Sequence, residues 1–380
     1  MLRFFSADPA EYAVVFTANA SQALKLVGES YPFAPGGRFV LTFDNHNSVN
    51  GIREFARARG AETRYVPVFP PDLRVPDDGV LDILDQPGPS AAPRLFAFPA
   101  QSNFSGVRHS LDWIDAAHAR GFDVLLDAAA FAPTNVLDLS RWKPDFVSLS
   151  FYKMFGYPTG VGALLARHEA LERLRRPWFA GGTIDVVSVQ ADQFRPAHGS
   201  ARFEDGTPDF LALPAVEYGL ELVESAGMAV VHERVRSLTS WVLRELQGLR
   251  HPDGSAAVRI YGPASAEDRG GAIAFNIAAP DGSLVDHELV DRGAGEQGIS
   301  LRTGCFCNPG AGELAFGLSR TEISACLAGA AARMTYDEFR RCIDPKAAGA
   351  VRVSFGLVSN FRDAWRLTRF LRTFLDDPAG

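Results

Sequence analysis

The sequence predicts an α/β protein, with a large domain on a mostly parallel sheet and a smaller α+β domain after it. Three observations predict this. Short apolar runs alternate with amphipathic stretches through the first half of the chain, the pattern of strands joined by crossover helices. Over residues 209–249 the apolar positions recur at helical spacing. Past His251-Pro252-Asp253-Gly254-Ser255 strand-like and helix-like segments mix. A chain of 380 residues with 47% apolar composition can bury a substantial core.

In chain order, strands are expected at residues 13–16, 38–43, 94–98, 122–126, 145–149 and 162–166, each a short apolar run. Helices are expected between them at 21–30, 48–59 and 111–120. The expected domains are a large one over 1–208, connecting helices over 209–250, and a small one over 251–380. The small domain should hold strands at 258–261, 272–277 and 351–355, and helices at 286–297, 335–343 and 363–375. Segments 67–76 and 86–93 read as loops, and no internal repeat stands out.

A net charge of -7 without a basic cluster argues against a nucleic-acid surface. No apolar run approaches the ~20 residues that span a bilayer. The start, Met1-Leu2-Arg3-Phe4-Phe5-Ser6-Ala7-Asp8, lacks a basic-then-apolar export pattern, so a cytoplasmic location is expected. Four cysteines in a chain this long make no disulfide framework, so a distinctive cysteine is read as reactive or as a ligand.

The most informative stretch is Val147-Ser148-Leu149-Ser150-Phe151-Tyr152-Lys153-Met154-Phe155-Gly156-Tyr157-Pro158-Thr159-Gly160-Val161-Gly162. A strand delivers Lys153 to a Gly/Pro turn and a second strand leaves at once, a setting suited to an amine that reacts with an aldehyde. The chemistry that fits is a Schiff base to pyridoxal phosphate; a structural lysine is the plainer alternative. In Phe122-Asp123-Val124-Leu125-Leu126-Asp127-Ala128-Ala129, Asp127 ends a buried strand, where ligands of open α/β sheets gather. There it can hold a pyridine nitrogen protonated or cap a helix. Backbone N–H groups of Ala20 and Ser21, at a strand-to-helix turn, can grip a phosphate, and the Ser150 hydroxyl can join them. His46 follows another strand, as a stacking and proton-shuttling imidazole or as a structural residue. In Leu301-Arg302-Thr303-Gly304-Cys305-Phe306-Cys307-Asn308-Pro309-Gly310, two cysteines one residue apart are placed for reactivity. Zinc would need four ligands, and Cys326 and Cys342 lie in helix-like patterns with no His nearby, so no metal is expected.

These motifs resemble the class V aminotransferase superfamily, the fold type I pyridoxal enzymes that include cysteine desulfurases. Residues 150–160 and 302–310 are most similar to the aminotransferase-like domain of molybdenum cofactor sulfurases. The likeness extends through Phe98-Pro99-Ala100-Gln101-Ser102-Asn103-Phe104-Ser105-Gly106, His46-Asn47-Ser48-Val49 and Arg269-Gly270-Gly271, covering nearly the whole chain. The resemblance implies a seven-stranded, mostly parallel sheet, pyridoxal 5′-phosphate as cofactor, and a homodimer. It makes Lys153 the Schiff-base lysine, Asp127 the pyridinium partner and His46 the stacking residue. Ala20, Ser21 and Ser150 would hold the phosphate, with Thr183 of Gly181-Gly182-Thr183 completing the neighbouring subunit's site. Arg352 would take the substrate carboxylate as a bidentate pair, and Asn103 would touch cofactor and substrate. Relatives place a glutamine where this chain has Ala130, so Gln101 is the expected partner of the ring oxygen.

The implied reaction draws sulfur from L-cysteine onto Cys307 as a persulfide, releases alanine, and feeds a separate acceptor protein. Relatives carry a longer segment ahead of the first phosphate loop than residues 1–15, and the sulfurases continue into a molybdopterin-binding domain. A complete sulfurase is therefore not expected. The competing readings are a C–S lyase or aminotransferase on another amino acid, and a non-catalytic scaffold of the same fold.

Overall fold

The computed structural model describes residues 1–88, 92–328, 333–343 and 349–376; residues 89–91 of the expected 86–93 loop lie outside this set. The chain divides into two compact units. The first comprises Met1–Pro67, Val75–Gln101 and His109–Val231, and the second Val68–Arg74, Ser102–Arg108 and the described residues from His232 on.

The first unit is built on seven strands: β1 (Tyr12–Thr17), β2 (Arg38–Thr42), β3 (Glu62–Val66), β4 (Arg94–Pro99), β5 (Asp123–Asp127), β6 (Phe146–Ser150) and β7 (Gly162–Arg167). Their order is β1-β7-β6-β5-β4-β2-β3. Every neighbouring pair from β3 to β6 is parallel, and β7 runs antiparallel to both β6 and β1. This is the mostly parallel seven-stranded sheet that the family resemblance implies. Its interior strands β2 and β6 are buried at all five positions, as expected of strands covered on both faces. Val15, Phe39, Leu41, Leu95, Ala97, Leu125, Phe146 and Leu164 pack with Leu24 and Val27 of the helix Ala20–Ser30 and with Ile52 and Ala56. Burying each large side chain of this kind contributes about 1.5–3 kcal/mol. A separate hairpin, β8 (Ile184–Ser188) with β9 (Gln193–Pro196), is mostly exposed.

Two departures from the sequence reading concern β3 and the helix expected over 48–59. Strand β3 is an edge strand whose Glu62 and Arg64 pair with each other at 2.7 Å, so it lacks the apolar run that marks its neighbours. The expected helix over 48–59 is two pieces, Asn47–Asn50 and Ile52–Ala58.

The second unit carries an antiparallel sheet of β10 (Val258–Tyr261), β11 (Ala272–Ile277), β12 (Arg302–Gly304) and β13 (Ala350–Ser354), ordered β10-β11-β13-β12. All six residues of β11 are buried. Short β12 runs along the edge and delivers the cysteine loop at its end, opposite Ala350 of β13. Cys326 and Cys342, on the helices Arg320–Ala328 and Tyr336–Ile343, form a disulfide. The sequence reading does not anticipate this bond, because helical spacing alone says nothing of which two helices meet.

Candidate functional site

In the first unit the strand order gathers the candidate residues on one sheet edge. Ala20, His46, Gln101, Asp127 and Lys153 each lie at or just beyond the carboxyl end of β1, β2, β4, β5 or β6, strands that run in one direction. That edge is where ligands of open α/β sheets bind.

Asp127 ends β5 and is buried. Its Oδ1 accepts from the Ser148 hydroxyl at 2.9 Å and from the Ala129 N–H at 3.0 Å. Two donors on one oxygen fix the direction of the carboxylate. Two residues beyond Ser148 on the same face of β6, Ser150 Oγ accepts from the Ala20 N–H at 3.3 Å. The turn ahead of Ala20 is tightly fixed: Asn19 caps the helix by accepting from the Gln22 N–H at 3.0 Å, and Gln22 Oε1 accepts from the Ala18 N–H at 2.6 Å. Such a cap contributes about 1 kcal/mol. Gly162 sits opposite both Thr17 and Ser150 in the sheet. A Cβ there would come within 2.6 Å of Asn19 Cα and of Leu149 O, so only glycine admits this approach.

Lys153 stands on the exposed side of a single helical turn, Tyr152–Phe155, directly after β6. That turn ends at Gly156 with φ 84°, the left-handed cap that glycine adopts without strain. His46 is half-buried and caps the next short helix. Its Nδ1 accepts from the Ser48 N–H at 3.1 Å and lies 3.1 Å from Ser48 Oγ. Ser48 Oγ in turn lies 2.6 Å from Ser21 Oγ. A hydroxyl bridge thus joins His46 to the start of the Ala20 helix. Gln101 is buried, its Oε1 accepting from Asn135 Nδ2 at 3.2 Å. Thr183 is also buried, its hydroxyl engaged with the N–H and C=O of Ala180, both at 2.9 Å.

The second unit assembles the others. Arg352 projects from β13, donates to Asn103 O at 2.7 Å, and lies over the Phe306 ring at 4.8 Å. Asn103 Nδ2 donates to Phe306 O at 2.7 Å, and Asn308 Nδ2 donates to Asn103 Oδ1 at 2.9 Å. Cys305 and Cys307 are half-buried and outside any disulfide. Among the described residues no group of three or more His, Cys, Asp or Glu is arranged to hold a metal.

Three participants went unassigned in the sequence reading: Ser148, Ser48 and Asn308. For Ser148 a signal existed, since it shares the period-two face of β6 with Ser150. The link from Ser48 to Ser21 and that from Asn308 to Asn103 join residues distant in sequence, which periodicity does not reveal.

The chain belongs to the aminotransferase class-V family, whose model matches residues 2–367; the members of that family are pyridoxal-phosphate enzymes of fold type I. It is 36% identical to a molybdenum cofactor sulfurase of Arabidopsis thaliana over 414 residues, covering 100% of this chain and 50% of the relative. Against the Homo sapiens molybdenum cofactor sulfurase the identity is 36% over 398 residues, covering 98% of this chain and 43% of the relative. The chain thus spans about half the length of the curated relatives it matches. An apo cysteine desulfurase from Thermococcus onnurineus superposes with a TM-score of 0.79 at 22% identity, covering 99% of this chain and 82% of that one. For the cysteine desulfurase CsdA of Escherichia coli the values are 0.78, 21%, 99% and 82%. At these identities the superpositions establish the fold.

Pyridoxal 5′-phosphate is the cofactor of this class, and the donor set suits it. The first unit offers an oriented strand-end carboxylate, hydroxyls and N–H groups at a helix start for a phosphate, and a lysine one strand away.

Proposed function

We propose that this chain is a pyridoxal-phosphate-dependent sulfur-transferring enzyme that draws sulfur from L-cysteine onto Cys307 and releases alanine. One observation carries the reading: Asp127, Ser150, the start of the Ala20 helix and Lys153 gather at one edge of the β1–β7 sheet. When bound, the cofactor supplies an electron sink for charge developing at the substrate's α-carbon. Asp127, fixed by Ser148 and Ala129, would keep the pyridine nitrogen protonated. Ser150, Ser21 and the Ala20 N–H would bind the phosphate, completed by Thr183 of a second copy, while Gln101 would face the ring oxygen. Because His46 Nδ1 accepts from the Ser48 N–H, the neutral ring carries its proton on Nε2, the nitrogen that would exchange protons during turnover. Lys153 Nζ would take the α-proton and return it.

Arg352 would pair with the substrate carboxylate, assisted by Asn103. Cys307 Sγ would then bond to the substrate sulfur as the C–S bond breaks. The C–S electron pair stays with the three-carbon fragment, which takes a proton and leaves as alanine. A separate protein would accept the sulfur. We also propose a cytoplasmic homodimer, supported by the exposed Val186, Val187 and Phe194 on the β8–β9 hairpin. Among the described residues no helix is long and apolar enough to cross a membrane.

The test is incubation with L-cysteine under reducing conditions, measuring sulfide and alanine together, with borohydride trapping to map the cofactor-bearing lysine. Equal yields of sulfide and alanine, and label on Lys153, are expected. Pyruvate with ammonia would replace the reading by a C–S lyase; label on another residue, or none, would overturn it. Sedimentation velocity reports the dimer.

A further inference from the structure

We propose that Asn103 is a positioning residue for Cys307, its side-chain amide holding the cysteine loop in the strained backbone that presents the thiol. The inference rests on Cys307 being the sulfur acceptor, and it goes beyond the contacts with cofactor and substrate that resemblance assigns to Asn103.

Phe306 and Cys307 both have φ 56°, two successive non-glycine residues in the left-handed region. Each such residue costs of order 1–3 kcal/mol and persists only where its surroundings impose it. Here the surroundings can be named. Asn103 Nδ2 donates to Phe306 O at 2.7 Å, on the peptide that joins the two strained residues. Asn103 Oδ1 accepts from Asn308 Nδ2 at 2.9 Å. Asn308 is fully buried; its own N–H donates to Cys305 O at 3.0 Å, and its Oδ1 accepts from the Ala311 N–H at 3.2 Å. Both ends of the Asn103 amide are therefore engaged with the loop, one directly and one through the residue that closes it. The Phe306 ring is held as well, 5.3 Å from the Phe104 ring and 4.8 Å below the Arg352 guanidinium.

The same asparagine accepts from Arg352 through its backbone oxygen at 2.7 Å. Asn103 thus braces two groups at once, the cation proposed to grip the substrate carboxylate and the loop that carries the thiol. The orientation of the one is tied to the position of the other through a single residue.

The test uses Asn103→Asp, which keeps the shape and the acceptor for Asn308 but removes the donor to Phe306 O. A second variant, Asn308→Asp, retains its helix-capping oxygen and removes the donor to Asn103. In each, the rate at which iodoacetamide alkylates Cys307 of the cofactor-free protein is measured, with the site located by tandem mass spectrometry. Release of the loop should raise that rate about 5-fold, the effect of losing one hydrogen bond. In the loaded Asn103→Asp enzyme, kcat for sulfide release should fall roughly 10-fold with KM changed by less than about 3-fold, the pattern of a lost alignment rather than lost binding. Unchanged alkylation in both variants would overturn the proposal, as would a rise in KM at constant kcat. If the unmodified protein releases no sulfide, the functional reading fails, while alkylation still decides whether Asn103 holds the loop.

Discussion

Ser148 stands directly across from Asp127 in the β5–β6 register, and its hydroxyl donates to Asp127 Oδ1 at 2.9 Å. It is one of two donors aiming the carboxylate proposed to hold the pyridine nitrogen. Ser148→Ala should fold, keep the Ala129 N–H bond and lose about 1 kcal/mol of this interaction. Cofactor titration followed by absorbance should give an affinity roughly 5-fold weaker. An unchanged affinity would separate Ser148 from the site.

Gly162 offers a steric test of the turn proposed to hold the phosphate. An alanine there would meet backbone atoms of Asn19 and Leu149 at 2.6 Å, with no flexible side chain to give way. Gly162→Ala should destabilise the protein by about 1–3 kcal/mol in urea unfolding. It should also weaken cofactor binding, because the atoms it displaces belong to the cap ahead of Ala20.

Arg352 is held both by its hydrogen bond to Asn103 O and by its position over Phe306. A lysine reproduces neither the planar fork nor the stacking. Arg352→Lys should therefore raise KM for the amino-acid substrate at least ~10-fold, consistent with one charged hydrogen bond of about 1.5–3 kcal/mol. Steady-state kinetics over a range of L-cysteine concentrations checks this.

Asp44 supplies the pH dependence. It is wholly buried, with Oδ2 2.9 Å from His109 Nε2. Burial alone would raise its carboxyl, but the His109 imidazole and hydrogen bonds from Thr42 and the backbone outweigh burial and hold it below the usual range. A carboxylate with a depressed folded pKa stabilises the native state above the unfolded value of about 3.9, and the contribution is lost as pH falls through the folded value. Asp44→Asn should cost roughly 3 kcal/mol at pH 7, and the gap to the unmodified protein should close as the pH falls below about 3.9. Chemical denaturation at several pH values measures it. A constant gap would show that ionisation of Asp44 plays no part.

Much of the fold was legible because its central strands are continuous apolar runs bounded by Gly, Pro and polar turns. The strand-end positions of the candidate residues were legible for the same reason, as with Asp127 closing β5 and Lys153 following β6. Strand β3 was not, since an edge strand can carry Glu62 and Arg64 without burying them. Nor was the bond from Asn103 to Phe306, 203 residues away, or that from His109 to Asp44, 65 residues away. Such pairings depend on how elements stack, and local residue patterns carry no record of it. The disulfide between Cys326 and Cys342 belongs to the same class.

The reversed direction of β7 has a consequence for how this chain tolerates change. Since β6 and β7 are antiparallel neighbours, with Ser150 opposite Gly162, Lys153 rides on a local hairpin rather than on a long crossover. Contacts close in sequence need little loop closure and form readily. The amine can therefore be altered without disturbing the long-range architecture: a lineage losing Lys153 would forfeit the chemistry proposed for it and keep its shape.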